Sequence, residues 1–419
     1  MKGLVRASAV VAITAALALT GCGRGPDDGG GDIAEPLAEG KAAGEITIWA
    51  MGAEGEKLSV LAADFMKENP DATVKVTPIP WDSAHDKIAT AIAGGQTPDV
   101  SMIGTTWMGE FAKTGGLEAT PDTLVKKGDF FEGAWNTTVV GGTSYGVPWY
   151  VETRLLYVNK DVAAKAGVTS APKSWDDFKA AVTALKEKGG AKWGVNLQPG
   201  GTGSWQSVMP FVWQNGGDIL NGDTFAFDSP QTVEALAYYK SFFEEGLSPK
   251  ALPEGSLEPS FLKGEIGAFI SGPWHIGILK DQAGADKYQL WHMPAKQAAT
   301  SFVGGSDLAV FKDAQNRDGA WKFVSYLSRP DVQIKWYQTA AALPAVTKGW
   351  DDPALKSDPM LSAFGDQLRD AKAPPAIPAW EQVAAAFDTE IEKLVKTAAT
   401  PEETAKTIQR NATSIGTGS

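Results

Sequence analysis

The stretch that decides the fold runs from Glu45 to Gly104: EITIWAMGAEGEKLSVLAADFMKENPDATVKVTPIPWDSAHDKIATAIAGGQTPDVSMIG. Glu45–Trp49 has strand composition. Leu58, Leu61, Ala62 and Phe65 then recur at i, i+3, i+4, i+7, one apolar face of a helix over 54–69, and Asn69-Pro70 ends it. Val74 and Val76 alternate with polar residues and give a second strand. Asp82 or Ser83 is expected to cap a helix over 85–93 that stops at Gly94-Gly95, and Pro98-Asp99-Val100 opens a third strand through Ile103, with Asp99 stabilising its start. Strand and helix in strict alternation predict an α/β lobe with a largely parallel sheet.

The same style continues outward. Ser174-Trp-Asp-Asp177 is a capping box ahead of a helix over 178–188. Helices are expected over 231–245, 319–327, 331–339 and 383–397, and Gly267–Ile270 is a buried-strand run. No repeat of 20–50 residues interrupts the pattern. At 419 residues the chain is long enough for two domains. No low-complexity linker separates them, so the chain is expected to cross between two lobes more than once.

The amino terminus reads differently. Met1–Arg6 is short and basic, and Ala7–Leu19 is apolar but too short to span a bilayer comfortably, the pattern of a signal peptide over 1–21. Leu17–Gly31, LALTGCGRGPDDGGG, holds Cys22, the only cysteine, which therefore has no internal disulfide partner. Leu19-Thr20-Gly21-Cys22 resembles the bacterial lipobox, which implies that Cys22 is lipidated and becomes the mature N-terminus; an ordinary secretory signal is the alternative. Residues 22–44 read as a flexible tether.

Charge and motif content exclude several functions. The net charge is −12, and −14 once Lys2 and Arg6 are removed with the signal. Nucleic acid and anionic membrane surfaces both call for a basic footprint, so neither is an expected partner. Gly142-Thr-Ser144-Tyr-Gly146 matches G-x-S-x-G, but Val147-Pro148 follows it and no helix receives the turn that a nucleophile elbow needs. His85, His275 and His292 are scattered with no ligand spacing around them; no metal and no cofactor is expected. A pair of glycosidase carboxylates has no sequence motif and stays open.

Tryptophan is the informative residue: 15 Trp against 8 Tyr. Core packing accounts for about half on the general behaviour of large apolar side chains. Others stand beside Gly and Pro, as in PIPWDSAHDK, IGTTWMGEF, YGVPWYVETR, GGTGSWQSV, SGPWHIG and PPAIPAWEQ. An aromatic ring stacks on the C–H face of a sugar while carboxylates and amides bind its hydroxyl rim. One stacking contact adds about 0.5–1.5 kcal/mol, and a micromolar ligand needs about 8 kcal/mol, so several platforms are required.

Taken in order, these segments resemble the extracellular solute-binding proteins of bacterial ABC importers, in particular the sugar-binding family that includes maltose-binding protein. The resemblance covers residues 45–400. ITIWAMGAEGEKL…FMKENP is similar to the opening strand, loop and helix; GGQTPDVSMIGTTWMGEFAKTGGLEAT to the PD(V/I) strand; SYGVPWYVETRLLYVNKDV to the crossover ending in YNK; FLKGEIGAFISGPW to the G…GPW block; FVGGSDLAVFK to the return strand. The resemblance implies an α/β, two-lobe, type II periplasmic-binding-protein-like fold with a cleft between lobes joined by three hinge crossings, near 150–155, 302–307 and 343–350. The N-terminal lobe would hold 45–151 and 305–345, the C-terminal lobe 152–304 and 346–419. It further implies a monomeric, non-catalytic receptor, anchored by lipid at the outer face of the cell membrane, that closes on a di- or oligosaccharide and hands it to the permease of an ABC transporter.

Carried residue by residue, it places Glu54 at a polar contact, or else at a solvent-facing helix start. Thr106 and Trp107 fall where the maltose-binding member has charged contacts, a departure that argues against copying its specificity. Glu152 falls on the crossover carboxylate, with an ion pair to Arg154 as the alternative. Trp205 and Trp380 are expected as aromatic platforms and Trp274 as the main stacking ring. Gly305 and Ser306 would offer backbone and hydroxyl contacts, and Trp81 and Asp82 would reach the cleft. A secreted glycan-active enzyme, an adhesive surface lipoprotein, and the same fold carrying a peptide, polyamine or phosphate ester are the competing readings.

Overall fold

From Gly44 the chain alternates as β1 (Gly44–Met51), α1 (Gly52–Lys57), α2 (Ser59–Glu68), β2 (Ala72–Ile79), α3 (Trp81–Gly94) and β3 (Val100–Gly104). These come from a computed structural model that describes residues 36–418 except residue 284; Cys22 and the signal segment lie outside the described residues. Ile46, Ile48 and Ala50 alternate inward along β1, and Leu61, Ala62 and Phe65 form the buried face of α2. The expected single helix over 54–69 is two helices meeting at Leu58. α3 begins at Trp81, four residues earlier than expected, after Pro80 in extended conformation. Neither Asp82 nor Ser83 caps it; the Ser83 hydroxyl instead donates back to the Pro80 carbonyl. Asp99 accepts from the Thr47 backbone N–H and hydroxyl and from the Asn316 N–H, which ties the start of β3 to β1 as expected.

The chain continues through β4 (Val147–Thr153) and, after one residue, β5 (Leu155–Asn159). Then follow α4 (Trp175–Glu187), α5 (Ser204–Gln214), α6 (Pro230–Glu244), β6 (Ala268–Ser271), α7 (Trp274–Ala283), β7 (Tyr288–Trp291), β8 (Ser301–Val310), β9 (Leu343–Pro344), β10 (Ala371–Lys372), α8 (Trp380–Lys396) and α9 (Pro401–Ile415). The Ser174/Asp177 capping box before α4 is present in both directions. The large sheet has the order β9-β4-β8-β3-β1-β2, with β10 alongside the first residues of β8. Only β1, β2 and β3 run parallel within that order; β8 is antiparallel to both β3 and β4. The largely parallel expectation is corrected because β8 enters the sheet from the other lobe and not through a βαβ unit. A second, antiparallel sheet, β6-β5-β7, organises the other lobe.

Alternation along β5 distributes its side chains between two cores. Tyr157 stacks on Phe269 and joins the apolar cluster beneath the large sheet, while Leu156 and Val158 face the cluster formed with α4, α5, α6, α8 and α9. The chain passes from the large sheet to the small one at Arg154, returns over 292–300, and leaves again after β9. That last passage is longer than 343–350. Trp350, Leu355, Leu361 and Phe364 still pack in the first cluster, and the second is reached from Ile377 and Trp380 onward. The tether also ends sooner than expected: Ala38 N–H donates to Asp318, and buried Ala42 N–H donates to Asn69.

Candidate functional site

Six of the expected residues stand in the first turns of helices. Glu54 is in the first turn of α1, Trp81 and Asp82 open α3, Trp274 opens α7 and Trp380 opens α8; Trp205 is the second residue of α5. Unsatisfied backbone N–H groups and the positive end of the helix dipole favour acceptors and negative charge there. Acidic Glu54 and Glu381 occupy such positions.

Contacts link these residues across the two lobes. A Cβ on Gly52 would fall 2.8 Å from the Trp81 ring and 3.5 Å from Glu54 Oε2, so the bare glycine lets both side chains approach. Trp81, 37% exposed, meets Trp107 edge to face at 5.6 Å. Thr106, next in sequence, hydrogen-bonds the Glu381 carboxylate. Trp380 meets Trp205 edge to face at 5.0 Å. Gln206 accepts from Arg154 Nη2 at 2.9 Å, and Arg154 lies 4.7 Å from the Trp274 ring centroid and 3.2 Å from Glu152 Oε1. Glu152 in turn faces Glu54 closely enough that its charge helps raise the Glu54 carboxyl.

The electrostatics follow from burial. Desolvation is the main cause that pushes the Glu54 carboxyl up, with its own backbone N–H and Lys57 opposing. Desolvation also raises Glu381 against the Thr106 hydrogen bond. Burial and the charges of Glu54, Glu152 and Asp307 hold the Tyr150 hydroxyl well above its ordinary value. Asp388 accepts from Gly203 N–H at 2.7 Å, Ser204 Oγ at 2.8 Å and Trp205 N–H at 2.7 Å. It therefore fixes the start of α5, although desolvation still leaves its carboxyl raised. Asp388 is spent on α5 and Glu152 is paired with Arg154. Glu54 and Glu381 form no ion pair of this kind among the described residues.

A cavity of about 440 Å³ is lined by Thr106, Gly203, Trp205, Gln206, Glu381 and Asp388, among others. A larger one of about 490 Å³, lined by Phe131, Asn136, Arg369 and Lys372 among others, contains none of the expected residues.

The expected residues fare unequally. Trp274 is 43% exposed and its ring rests over Gly272, where a Cβ would fall 2.0 Å from Cζ3. Trp380 and Trp205 are only 1% and 5% exposed. Each is held edge-on by the other, and Trp205 also by Phe302 at 5.3 Å, so neither leaves a broad ring face open in this conformation. Ser306 is buried and its hydroxyl donates to the Ile103 carbonyl, which takes it away from any ligand. Gly305 has φ +131°, and a Cβ there would strike the Tyr150 carbonyl at 2.1 Å; its role is close strand approach. Asp82 is exposed at the start of α3. Arg154, Gln206, Glu381, Asp388 and Tyr150 were not assigned to the site from sequence. Glu381 adjoins Trp380 in PAWEQ and Tyr150 adjoins Trp149 in VPWYVET, so neighbourhood to tryptophan was the available signal.

The competing features find structural places of their own. Ser144 lies on a two-residue strand in a hairpin, hydrogen-bonded to Gly146, and extended β4 follows. His275 is held between Ser271 Oγ at 2.6 Å and Glu258 at 3.0 Å, and His85 contacts Glu110 at 3.0 Å. Among the described residues no three metal-ligating side chains gather, and no helix is long and apolar enough to cross a membrane.

Comparison with known proteins agrees with the fold. Residues 50–334 match the family model described as bacterial extracellular solute-binding protein. The diacetylchitobiose binding protein DasA of Streptomyces coelicolor is 27% identical over 382 residues, covering 88% of this chain and 87% of that protein. The maltotriose-binding protein of Pyrococcus abyssi is 27% identical over 371 residues, covering 82% and 77%. Among solved structures, the sugar-binding protein MalE from Xanthomonas citri superposes with a TM-score of 0.84 at 30% identity, covering 89% of this chain and 97% of that one.

Proposed function

Because the chain belongs to the bacterial extracellular solute-binding proteins, we propose that it captures a di- or oligosaccharide in the cleft between its lobes and delivers it to the permease of an ABC transporter. The observation that carries this reading is Trp274. A large ring stands 43% exposed at a helix start, with the guanidinium of Arg154, itself only 11% exposed, 4.7 Å from its centroid. It is joined through that guanidinium and Glu152 to the Glu54 carboxyl. A sugar offers the matching apolar face and hydroxyl donors. The names of the DasA, maltotriose-binding and MalE relatives support the same ligand class.

In this reading the N-terminal lobe holds 45–151 and 305–345, the C-terminal lobe holds 152–304 and the chain from Trp380 onward, and the passage between them packs on the first cluster through Phe364. The lobes close by hinge motion, bringing Trp81, Trp107, Thr106 and Glu54 toward Trp274, Glu152, Trp205 and Trp380. The receptor works as a monomer without catalysis, cofactor or metal. Cys22 carries the lipid that keeps it at the outer face of the cell membrane. Two acyl chains suffice for stable anchoring at about 0.8 kcal/mol per buried CH₂.

A thermal-shift screen against a panel that includes maltotriose and N,N′-diacetylchitobiose tests the ligand class. A bound sugar at 100 times its Kd raises stability by about 2.7 kcal/mol. No shift with any saccharide would remove the carbohydrate reading, and product formed during incubation would replace the receptor with an enzyme.

A further inference from the structure

Arg154 is the single residue between β4 and β5, where the chain passes from one sheet to the other. Its side chain is 11% exposed and is shared among four neighbours. Nη2 donates to Gln206 on α5, Nη1 lies in ion-pair range of Glu152 on β4, and the guanidinium sits over the rings of Trp274 on α7 and Phe302 on β8, 4.7 and 5.1 Å from their centroids. Nη1 is nonetheless buried with no aligned acceptor. The Arg154 backbone is pinned as well: its carbonyl accepts from Ser301 Oγ at 2.9 Å.

A buried cation with an unsatisfied donor is a costly way to hold two strands together. Apolar packing against Phe302 would do so more cheaply. The Arg154 side chain is largely buried while Trp274 is 43% exposed, so the cation covers part of the ring and leaves part of it to solvent. With Gly272 beneath the same ring, Arg154 removes its freedom to tip inward. The contact set therefore connects the exposed ring, the crossing strand and the wall of the 440 Å³ cavity through one side chain.

We propose that Arg154 is a positioning residue for ligand capture: it holds Trp274 in its stacking orientation and ties that ring to the crossing strand. The inference rests on the reading of Trp274 as the stacking platform. It requires Arg154 and Trp274 to act as one unit in binding, and coupled residues are non-additive.

The test is a double-mutant cycle on the full chain, with Kd read by calorimetric titration of maltotriose or, where that does not bind, N,N′-diacetylchitobiose. Trp274→Ala is expected to weaken binding at least tenfold and Arg154→Ala about fivefold to tenfold. The double variant should be within about twofold of Trp274→Ala alone. Arg154→Lys keeps the charge but not the planar fork and should fall between wild type and Arg154→Ala; with Arg154→Gln it completes the cycle if Arg154→Ala does not fold. Thermal midpoints are read in parallel, since a residue that only braces the strands would lower them equally with and without Trp274→Ala. Multiplicative losses in Kd would overturn the coupling while leaving the platform intact. Unchanged affinity in Trp274→Ala would overturn the platform itself, as would no binding by wild type, and the inference with it.

Discussion

Asp307 is a buried carboxyl whose one side-chain partner among the described residues is the Thr137 hydroxyl, with Oγ1 at 3.0 and 3.2 Å from its two oxygens. That hydroxyl also lies 2.7 Å from the Ala134 carbonyl, so its one proton is shared between the two acceptors. The Thr137 hydroxyl donates to the Asp307 carboxyl and so favours its charged form. Burial outweighs that bond and pushes the Asp307 carboxyl up to about 8. Between the ordinary aspartate value of about 3.9 and about 8 the folded chain holds a proton that the unfolded chain has released, so stability falls as pH rises. The contribution is complete below pH 4 and is lost as pH passes through about 8. Asp307→Asn should therefore flatten the decline in thermal midpoint between pH 5 and pH 9, by up to about 1.4 kcal/mol per pH unit; identical slopes for both chains would reject the assignment. Trp274→Ala belongs to the same scale. It removes an exposed ring, so it should leave the midpoint nearly unchanged while weakening saccharide binding at least tenfold in a titration.

At the scale of elements, the start of α5 shows how the site is braced. Three donors from Gly203, Ser204 and Trp205 converge on Asp388 of α8. Asp388→Ala strands them near the cavity wall and should cost about 1–3 kcal/mol, measured by denaturant unfolding, with saccharide affinity falling as well. Loss of affinity without loss of stability would mean that Asp388 contacts the ligand directly. Elements with strong periodicity were legible in sequence: β1, α4 with its capping box, and α6 follow their expected spans closely. Helix starts were not. α3 and α8 each begin several residues early, at Trp81 and Trp380, because no side-chain cap marks either start. That error had a consequence for function. Trp205 and Trp380 looked like loop tryptophans from their Gly and Pro neighbours, but the helix starts turn them into the core between α5 and α8. Arg154 and Asp388 could not be assigned because their roles depend on partners 52 and about 185 positions away.

At the scale of the molecule, the alternating opening stretch and the ordered segments fixed the architecture well, down to three passages between two lobes. The antiparallel entry of β8 and the length of the last passage were not legible, since both depend on pairing across distant chain segments. Cys22 belongs to this scale too. Cys22→Ala is expected to move the protein from the membrane fraction to the soluble extracytoplasmic fraction, and retention at the membrane would contradict lipidation at this residue. The central claim is capture of a saccharide by closure of two lobes, and small-angle scattering during a saccharide titration measures it directly. The radius of gyration should fall and saturate together with binding. Saturable binding at a constant radius would contradict closure, and the absence of any saturable saccharide would contradict the receptor itself.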